Sequence, residues 1–274
     1  MIRACKICPF YFGSNRRINP RNWKEGKLLI DYIIATENQV NAGVPVDLII
    51  VNNTTDNPEY VSHPLELEAC KNYLNSLNGQ KTLNGTIKVM HRRNVGISFG
   101  AHNAVFERHV RDYDYWFFME DDTINTLDNY YLQFIDQLNS NDKCAFVAMI
   151  GLSYYEKYDP EKRKFPPHAH SGAGCTSTEY LLELYEKNGS LPFYNAGGML
   201  HPQFSTQEIR RQFWGMHIEQ GEMAFTCKYG DIGYEIEKFS GEKPYIRWTT
   251  SDKKTDIKEW GTSDYVLNVS YEHM

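Results

Sequence analysis

The sequence predicts an α/β fold in which helices flank a mostly parallel sheet within a single domain. Short apolar runs alternate with helix-length amphipathic segments through the first half of the chain. Strands and helices in this order join through right-handed crossovers, which makes the paired strands parallel. The 274 residues show no internal repeat and no clear linker. We therefore expect one domain over residues 1–240 and a tail over 241–274 that packs on it.

The first half should supply five strands, because each run is apolar and β-branched, as strands covered by helices are. The predicted strands are 2–10, 46–53, 86–93, 114–120 and 144–152. Apolar side chains recur at helical spacing between these runs. The predicted helices are 27–40, 64–79, 98–110 and 127–139.

The second half is less regular. Residues 154–174 are charged and then rich in Pro, His and Gly, which predicts a mobile loop. Further elements are expected after it: helices at 177–189, 205–215 and 221–230 and a strand at 232–239.

Polar side chains follow three of the predicted strands at the point where each strand ends. They are Asn52 and Asn53, the segment 92–94 (Arg-Arg-Asn), and the carboxylates of 120–122. Because parallel sheets bind ligands outside the carboxyl ends of their strands, these groups should line one crevice.

The carboxylates Glu120, Asp121 and Asp122 are adjacent in the chain, so their charges repel and make ionisation costly. A divalent cation would offset this repulsion, and Mg²⁺ or Mn²⁺ prefers carboxylate oxygens. The alternative is a solvated acidic turn that precedes the helix at 127–139.

The overall composition argues against a nucleic-acid partner and against a membrane-spanning segment. A net charge of −6 argues against a nucleic-acid binder, which needs a basic surface. No apolar run is long enough to span a bilayer, and no secretory leader pattern is present. We expect a cytoplasmic protein that could associate with the membrane surface.

Six cysteines are scattered along the chain, mostly in apolar runs that predict core positions. Cys5 and Cys8 form a CxxC, which could make a zinc site with His168 and His170. Since the CxxC lies in a predicted buried strand, core packing is the favoured interpretation.

Six segments, in chain order, resemble motifs of one enzyme family. They are CPFYFGSNR, IIVNNTTDN, NVGISFGAHNAV, YWFFMEDDT, NAGGML and GEMAFTCKYGDIGYEI, which span about residues 3–235. The chain thereby resembles the GT-A glycosyltransferases, most closely the large inverting family that uses nucleoside-diphosphate sugars. No single motif is specific, but their order and spacing are.

The resemblance implies a set of residues that bind the nucleotide sugar. The set is Pro9, Phe10, Tyr11, Asn52, Asn53, Asp56, Arg93, Asn94, Gly96, Asn103, Glu120, Asp121, Gly197 and Gly198. The first three would lie near the nucleoside and the next three near the base and ribose. Arg93 and its neighbour Arg92 would offset diphosphate charge.

The resemblance also implies a Mn²⁺ or Mg²⁺ site. Asp122 is the first candidate ligand, with Glu120 or Asp121 assisting it by contacting the metal or the ribose. His273, near the carboxyl end, would be a third ligand.

Glu222 falls where the family has its general base, which takes the proton from the acceptor hydroxyl. Glu219 is the alternative base, and an ordinary helix N-terminal acid is the competing interpretation of Glu222. Four positions depart from the family pattern: Asn52 and Glu120 replace Asp, His102 replaces a frequent Arg, and Gly221 stands where the family has the first acid of the pair that ends at Glu222.

The expected function is transfer of a sugar from a UDP- or GDP-sugar to a glycan or lipid-linked hydroxyl, with inversion, as in polysaccharide biosynthesis. A catalytically inactive GT-A domain that binds nucleotide or glycan is one alternative. A sugar-nucleotidyltransferase is another, although the G-x-G-T-R-x-x-P segment expected of that class is missing from PFYFGSNRR.

Overall fold

The computed structural model describes residues 2–10, 29–54, 64–119, 123–153, 168–195, 218–242 and 245–247. Within these ranges it contains a seven-stranded, mostly parallel sheet with helices on both faces. This confirms the predicted α/β fold class with a mostly parallel sheet. Several predictions lie outside the described residues: the helix at 205–215 and the site residues Tyr11, Asp56, Glu120, Asp121, Asp122, Gly197, Gly198 and His273.

Seven strands form the main sheet: β1 (Ala4–Phe10), β2 (Val46–Thr54), β3 (Ile87–Arg93), β4 (Tyr115–Phe118), β6 (Cys144–Ala148), β9 (Gly174–Ser177) and β10 (Glu235–Lys238). Two further pairs are small antiparallel ribbons: β5 (Thr123–Asn125) with β11 (Tyr245–Arg247), and β7 (Leu152–Ser153) with β8 (His168–Ala169). The main sheet has the order β10-β6-β9-β4-β1-β2-β3. Its neighbours pair in parallel except that β9 runs antiparallel to β4 and β6.

The helices are α1 (Leu29–Glu37), α2 (Pro64–Leu77), α3 (Ile97–His109), α4 (Tyr130–Asn139), α5 (Thr178–Asn188) and α6 (Ala224–Cys227). The first four lie where the sequence predicts helices, each within a few residues of the expected ends. In the part of the chain that the structure covers, none of the helices is long and apolar enough to cross a bilayer.

The strand β1 divides the core, because successive side chains of a strand point to opposite faces. Cys5 and Ile7 pack in the cluster that contains side chains of α3, α5 and α6. Cys8 and Phe10 pack on the other face, against α1 and α2. Burial on both faces explains why the strand is apolar without alternation.

The sequence-based assignment of 154–174 as a loop was wrong at its end. Residues 168–174 supply β8, a tight turn at His170–Gly172 and the first residue of β9. The strand β9 has the sequence Gly-Cys-Thr-Ser, too short and too polar to show a strand pattern. It is buried because β4 and β6 pair with it from both sides, which only the tertiary structure provides.

The helix predicted at 221–230 is also different in detail. A π-helical turn, Ile218–Met223, leads into α6, and a 3₁₀ turn at Gly230–Ile232 follows. Wide helical turns of this kind occur often at functional sites, because the extra residue changes the direction of a side chain.

The CxxC does not form a metal site. Cys5 and Cys8 belong to different core clusters on opposite faces of β1. All six cysteines are free thiols, and all but Cys227 are buried. Among the residues that the structure describes, no group of three or more His, Cys, Asp or Glu side chains could hold a metal ion.

We expect the native thiols to react slowly with a thiol reagent such as DTNB. Burial raises the pKa of Cys70 to about 12 and the pKa of Cys144 and of Cys227 to about 11. Since the thiolate is the nucleophile, the fraction of reactive thiolate at pH 8 should be about 200-fold lower for Cys144 and Cys227, and about 2000-fold lower for Cys70, than for free cysteine with its pKa near 8.5. All six should react rapidly in urea. Rapid reaction of Cys70 or Cys144 in the native protein would contradict the packing described here.

Candidate functional site

The order in which the chain adds strands to the sheet reverses beside β1. From β1 the chain proceeds outward through β2 and β3, and then returns to place β4 on the other side of β1. The strand β1 pairs with β4 only through Ala4–Ile7, ending with the bond from the Met119 N–H to the Ile7 carbonyl at 3.2 Å. Pro9 and Phe10 continue beside β2 alone. Such a reversal point is where open α/β sheets bind their ligands.

The predicted carboxylates 120–122 follow directly after Met119, which is buried beyond the last residue of β4. In the chain, the acidic segment thus begins one residue after a strand whose last three residues, Trp116 to Phe118, are buried.

Asn52 lies at the end of β2 with its carboxamide oriented by two neighbours. The Nε2 of His91 is 2.8 Å from Oδ1 of Asn75, an acceptor, so Nε2 holds the proton. The other ring nitrogen, Nδ1, then accepts from Nδ2 of Asn52 at 3.1 Å. Burial, together with the nearby Lys71, lowers the pKa of His91 and favours this neutral ring.

The consequence is that Oδ1 of Asn52 is the unused end of the amide. It is buried and has no hydrogen-bond partner within the described structure. A buried acceptor without a partner is costly, so it is where a ligand N–H group would be stabilised. The sequence placed Asn52 near a base by resemblance, but it gave no sign that His91 and Asn75 orient it.

Arg92, the last residue but one of β3, is a half-buried cation. Its Nη1 donates to Oδ1 of Asn53 at 2.6 Å and its Nη2 to the carbonyl of Val95 at 2.8 Å. Burial lowers the pKa of Arg92 to about 10, which still leaves it charged at neutral pH. These acceptors are neutral, so Arg92 keeps its positive charge available to an anion. The adjacent Arg93, which was predicted to bind the nucleotide sugar, is more exposed.

The chain enters α3 through an unusual backbone. Gly96 has φ 73° and the β-branched Ile97 has φ 48°. Gly96 is required there, since a Cβ atom would lie 2.4 Å from Cδ2 of Phe193. Left-handed β-branched residues are strained and tend to occur at functional sites. The turn keeps Asn94 at the end of β3, where its buried Oδ1 also has no partner in the described structure.

Asn103, another predicted nucleotide-sugar residue, has a structural contact. Its Oδ1 accepts the N–H of Leu191 at 2.9 Å, which ties α3 to the segment after α5. The side chain is 7% exposed. This contact gives Asn103 a structural role, and its amide nitrogen and the second lone pair of Oδ1 are what it could offer a ligand.

Four rings connect the end of β4 with α3 and α6, and we call them the ring cluster: Phe99, His102, Phe118 and Phe225. Phe118 is 4.7 Å from His102 and 4.8 Å from Phe225, measured between ring centroids. His102, which stands where the family often has Arg, is 1% exposed. The ring cluster therefore fixes the helix that contains Phe225 against the strand that precedes the carboxylates.

Glu222, the predicted base, lies three residues before Phe225 in the π-helical turn. Its Oε1 accepts the N–H of Ser171 at 2.7 Å. The Nδ1 of His170 is 3.9 Å from the same oxygen, and the Glu222 side chain is 20% exposed. The alternative base, Glu219, is exposed. Of the two acids, Glu222 is the partly buried one, which suits a general base better than full exposure does.

Comparison with known proteins adds little to this geometry. No family model matches the chain, and no curated protein matches it significantly. Solved structures do match in fold. One is S. aureus TarS, a glycosyltransferase, which is 13% identical with a TM-score of 0.46. The match covers 95% of this chain but only 38% of TarS. A likeness this weak does not identify the function of this chain.

Proposed function

We propose that this protein is a metal-dependent glycosyltransferase that uses a UDP- or GDP-sugar as donor. The observation that supports this most is the position of Glu222. The ring cluster packs its helix against the end of β4, and the carboxylates 120–122 follow β4 in the chain after Met119. We infer from this that the proton acceptor and the candidate diphosphate site act on the same substrate.

Asn52 supports a contact with the nucleobase. Its buried Oδ1 has no partner within the described residues and would accept a hydrogen bond, so the base opposite it would present an N–H group. Uracil offers its ring N–H and guanine its ring N–H and amino group, and both bases therefore fit this acceptor. The preference for uridine and guanosine diphosphate sugars over other nucleotides comes from the resemblance of the sequence motifs.

The donor set fits a hard divalent cation. Asp122 and Glu120 or Asp121 offer carboxylate oxygens, and His273 would add an imidazole, which Mn²⁺ accepts as well as oxygen. Mn²⁺ or Mg²⁺ bound there would supply Lewis-acid stabilisation of the departing diphosphate. Arg92 would add a fixed positive charge from the neighbouring strand.

In the transfer step, Glu222 takes the proton from the acceptor hydroxyl. The hydroxyl oxygen forms a bond to the anomeric carbon as the bond from that carbon to the diphosphate oxygen breaks. A direct displacement of this kind inverts the anomeric configuration. The acceptor would be a glycan or a lipid-linked saccharide.

A thermal-shift screen tests the donor assignment. We expect UDP or GDP, or one of their sugars, to raise Tm by about 5–10 °C at 100 times its Kd when Mn²⁺ is present. ADP and CDP should have little effect. Asp122→Asn should remove the Mn²⁺-dependent part of the shift and keep the Tm of the free protein.

The same screen separates the alternatives. A Mn²⁺-dependent shift without release of nucleoside diphosphate from any donor would favour a binding module. No shift with any nucleotide would contradict the proposal. An unchanged shift in Asp122→Asn would contradict the metal assignment alone.

A further inference from the structure

Two side chains on one helical face hold the segment Ala169–Ser171. The Ser171 N–H donates to Oε1 of Glu222 at 2.7 Å, and the Ala169 N–H donates to Oγ1 of Thr226 at 3.0 Å. Glu222 and Thr226 are four residues apart, so they lie on the same face one turn from each other. Thr226 is 1% exposed. The two contacts together form a clamp between this helix and the turn His170–Gly172.

The turn has a backbone conformation that few residues can adopt. Ser171 has φ 57° and Gly172 has φ 61°, both in the left-handed region. A Cβ atom at position 172 would lie 2.4 Å from Cε1 of Phe99, so only glycine fits. A non-glycine residue in this conformation is held by its surroundings at a cost in free energy.

Further backbone bonds attach the turn to the sheet. The His170 N–H donates to the Gly151 carbonyl at 3.0 Å, and the Met149 N–H donates to the Ala173 carbonyl at 2.9 Å. Since Met149 directly follows β6, the Ser171 N–H has a fixed position relative to the sheet. The position of Glu222 then depends on how its helix is placed against this fixed donor.

We propose that Thr226 is a positioning residue for Glu222. This inference rests on the proposed function, in which Glu222 is the base. By accepting the Ala169 N–H, Thr226 fixes where the helix lies along the segment Ala169–Ser171. The Ser171 N–H then holds Oε1 of Glu222. The other oxygen, Oε2, is left to take the proton from the acceptor hydroxyl. Thr226 does not touch the substrate in this arrangement and acts only through Glu222.

The position of the carboxylate should affect turnover more than donor binding. A base displaced by a fraction of an ångström loses alignment with the attacking hydroxyl, and misplacement by 1 Å can cost about 100-fold in rate. Nucleotide contacts at β1, β2 and β3 are on other elements and would be unaffected. The clamp therefore predicts a change in kcat at constant KM.

The test compares Thr226→Val, which keeps the shape and removes the hydroxyl, with Thr226→Ser, which restores it. Release of nucleoside diphosphate from UDP-glucose, UDP-N-acetylglucosamine and GDP-mannose would be measured with Mn²⁺. We expect Thr226→Val to lower kcat about 10- to 100-fold with the donor KM within twofold. Thr226→Ser should recover most of the rate.

Thr178→Val is the matched control. The Thr178 hydroxyl accepts from Nε1 of Trp116 and donates to the Tyr113 carbonyl, at the opposite end of β9 from the turn. This variant should lower Tm and leave kcat unchanged, as a purely structural hydroxyl would. Hydrogen exchange at the Ser171 amide should accelerate at least tenfold in Thr226→Val and stay constant in Thr178→Val.

Two results overturn the proposal. Thr226→Val with wild-type kcat would do so, whether or not the Ser171 amide exchanges faster. Equal losses of kcat in Thr226→Val and Thr226→Ser would do so as well, because the hydroxyl would then be irrelevant. If the wild-type protein turns over none of the donors, the proposed function fails and this inference fails with it. Hydrogen exchange at the Ser171 amide is measured without donor. It therefore still shows whether Thr226 holds the turn when the failure lies in the proposed function.

Discussion

Glu222→Gln should lower kcat by about 10²–10⁴-fold while the protein stays folded. The factor is what a positioned general base typically contributes. Glutamine keeps the shape of the side chain and can still accept the Ser171 N–H at Oε1, the contact that now measures 2.7 Å. The variant therefore removes proton transfer and little else. The measurement is release of nucleoside diphosphate from the donor that the thermal-shift screen identifies.

Two further variants make this result specific. Glu186→Gln changes an exposed carboxylate on α5 and should leave kcat unchanged. Glu219→Gln tests the alternative base on the same π-helical turn. If Glu219→Gln loses the activity and Glu222→Gln keeps it, the base is Glu219 and the anchored carboxylate has a structural role. Donor affinity should be unchanged in all three variants, because the proposed nucleotide contacts lie on strands β1, β2 and β3 and the three substitutions lie on helical segments.

The sequence was sufficient to predict most of the sheet. Strands buried on both faces, such as β1 and β2, are continuous apolar runs, and that pattern is local. The strand β9 lacks the pattern because its burial comes from its two neighbours and not from its own composition. The π-helical turn before α6 was missed for a related reason. Its extra residue is stabilised by tertiary contacts, and helical periodicity does not reveal it.

The site was partly predictable in the same sense. Residues that end parallel strands, such as Asn52 and Arg92, could be placed at one edge from chain order alone. Their hydrogen bonds could not, because His91 and Asn75 reach Asn52 only after β3 and α2 pack beside β2. Ser171 and Glu222 are 51 residues apart in the sequence, and their contact depends on the left-handed backbone of Ser171. No local signal predicts either feature.

Another feature that the sequence does not reveal is a buried ion pair between β1 and α1. Lys6 lies in the middle of β1 with 0% exposure, and its Nζ is 2.8 Å from Oε1 of Glu37, which is 3% exposed. In the sequence, this lysine interrupts an apolar strand without an evident partner. The partner comes from the end of α1, which packs across that face of the sheet.

Glu37 links four elements through its two oxygens. Oε1 also accepts from Nδ2 of Asn125 at 3.1 Å and from the Tyr131 hydroxyl at 3.2 Å, and Oε2 accepts from Nδ2 of Asn84 at 3.3 Å. Burial and the charge of Glu37 raise the pKa of Tyr131 well above its ordinary value, so its hydroxyl remains a donor. The carboxylate is thus satisfied by one cation and three neutral donors.

Lys6→Met should therefore destabilise the protein by about 3–5 kcal/mol, because it leaves a buried carboxylate without its counter-charge. That is a large part of the roughly 5–15 kcal/mol that stabilises a typical native protein. The double variant Lys6→Met/Glu37→Gln should recover most of the loss, since no charge remains and glutamine still accepts from Asn125 and Tyr131. Urea unfolding of the three proteins measures the difference.

The exposed pair Lys228–Asp231 supplies the control, because its side chains are 43% and 54% exposed. Lys228→Met should cost no more than about 1 kcal/mol, as solvent screens such pairs. A double variant at Lys6 and Glu37 that is as unstable as Lys6→Met would contradict the charge argument, because neutralising the stranded carboxylate would then have restored nothing. Recovery in the double variant would show that the loss in Lys6→Met comes from the uncompensated charge of Glu37, and that neutral hydrogen bonds from Asn125 and Tyr131 are enough to hold α1, β5 and α4 together.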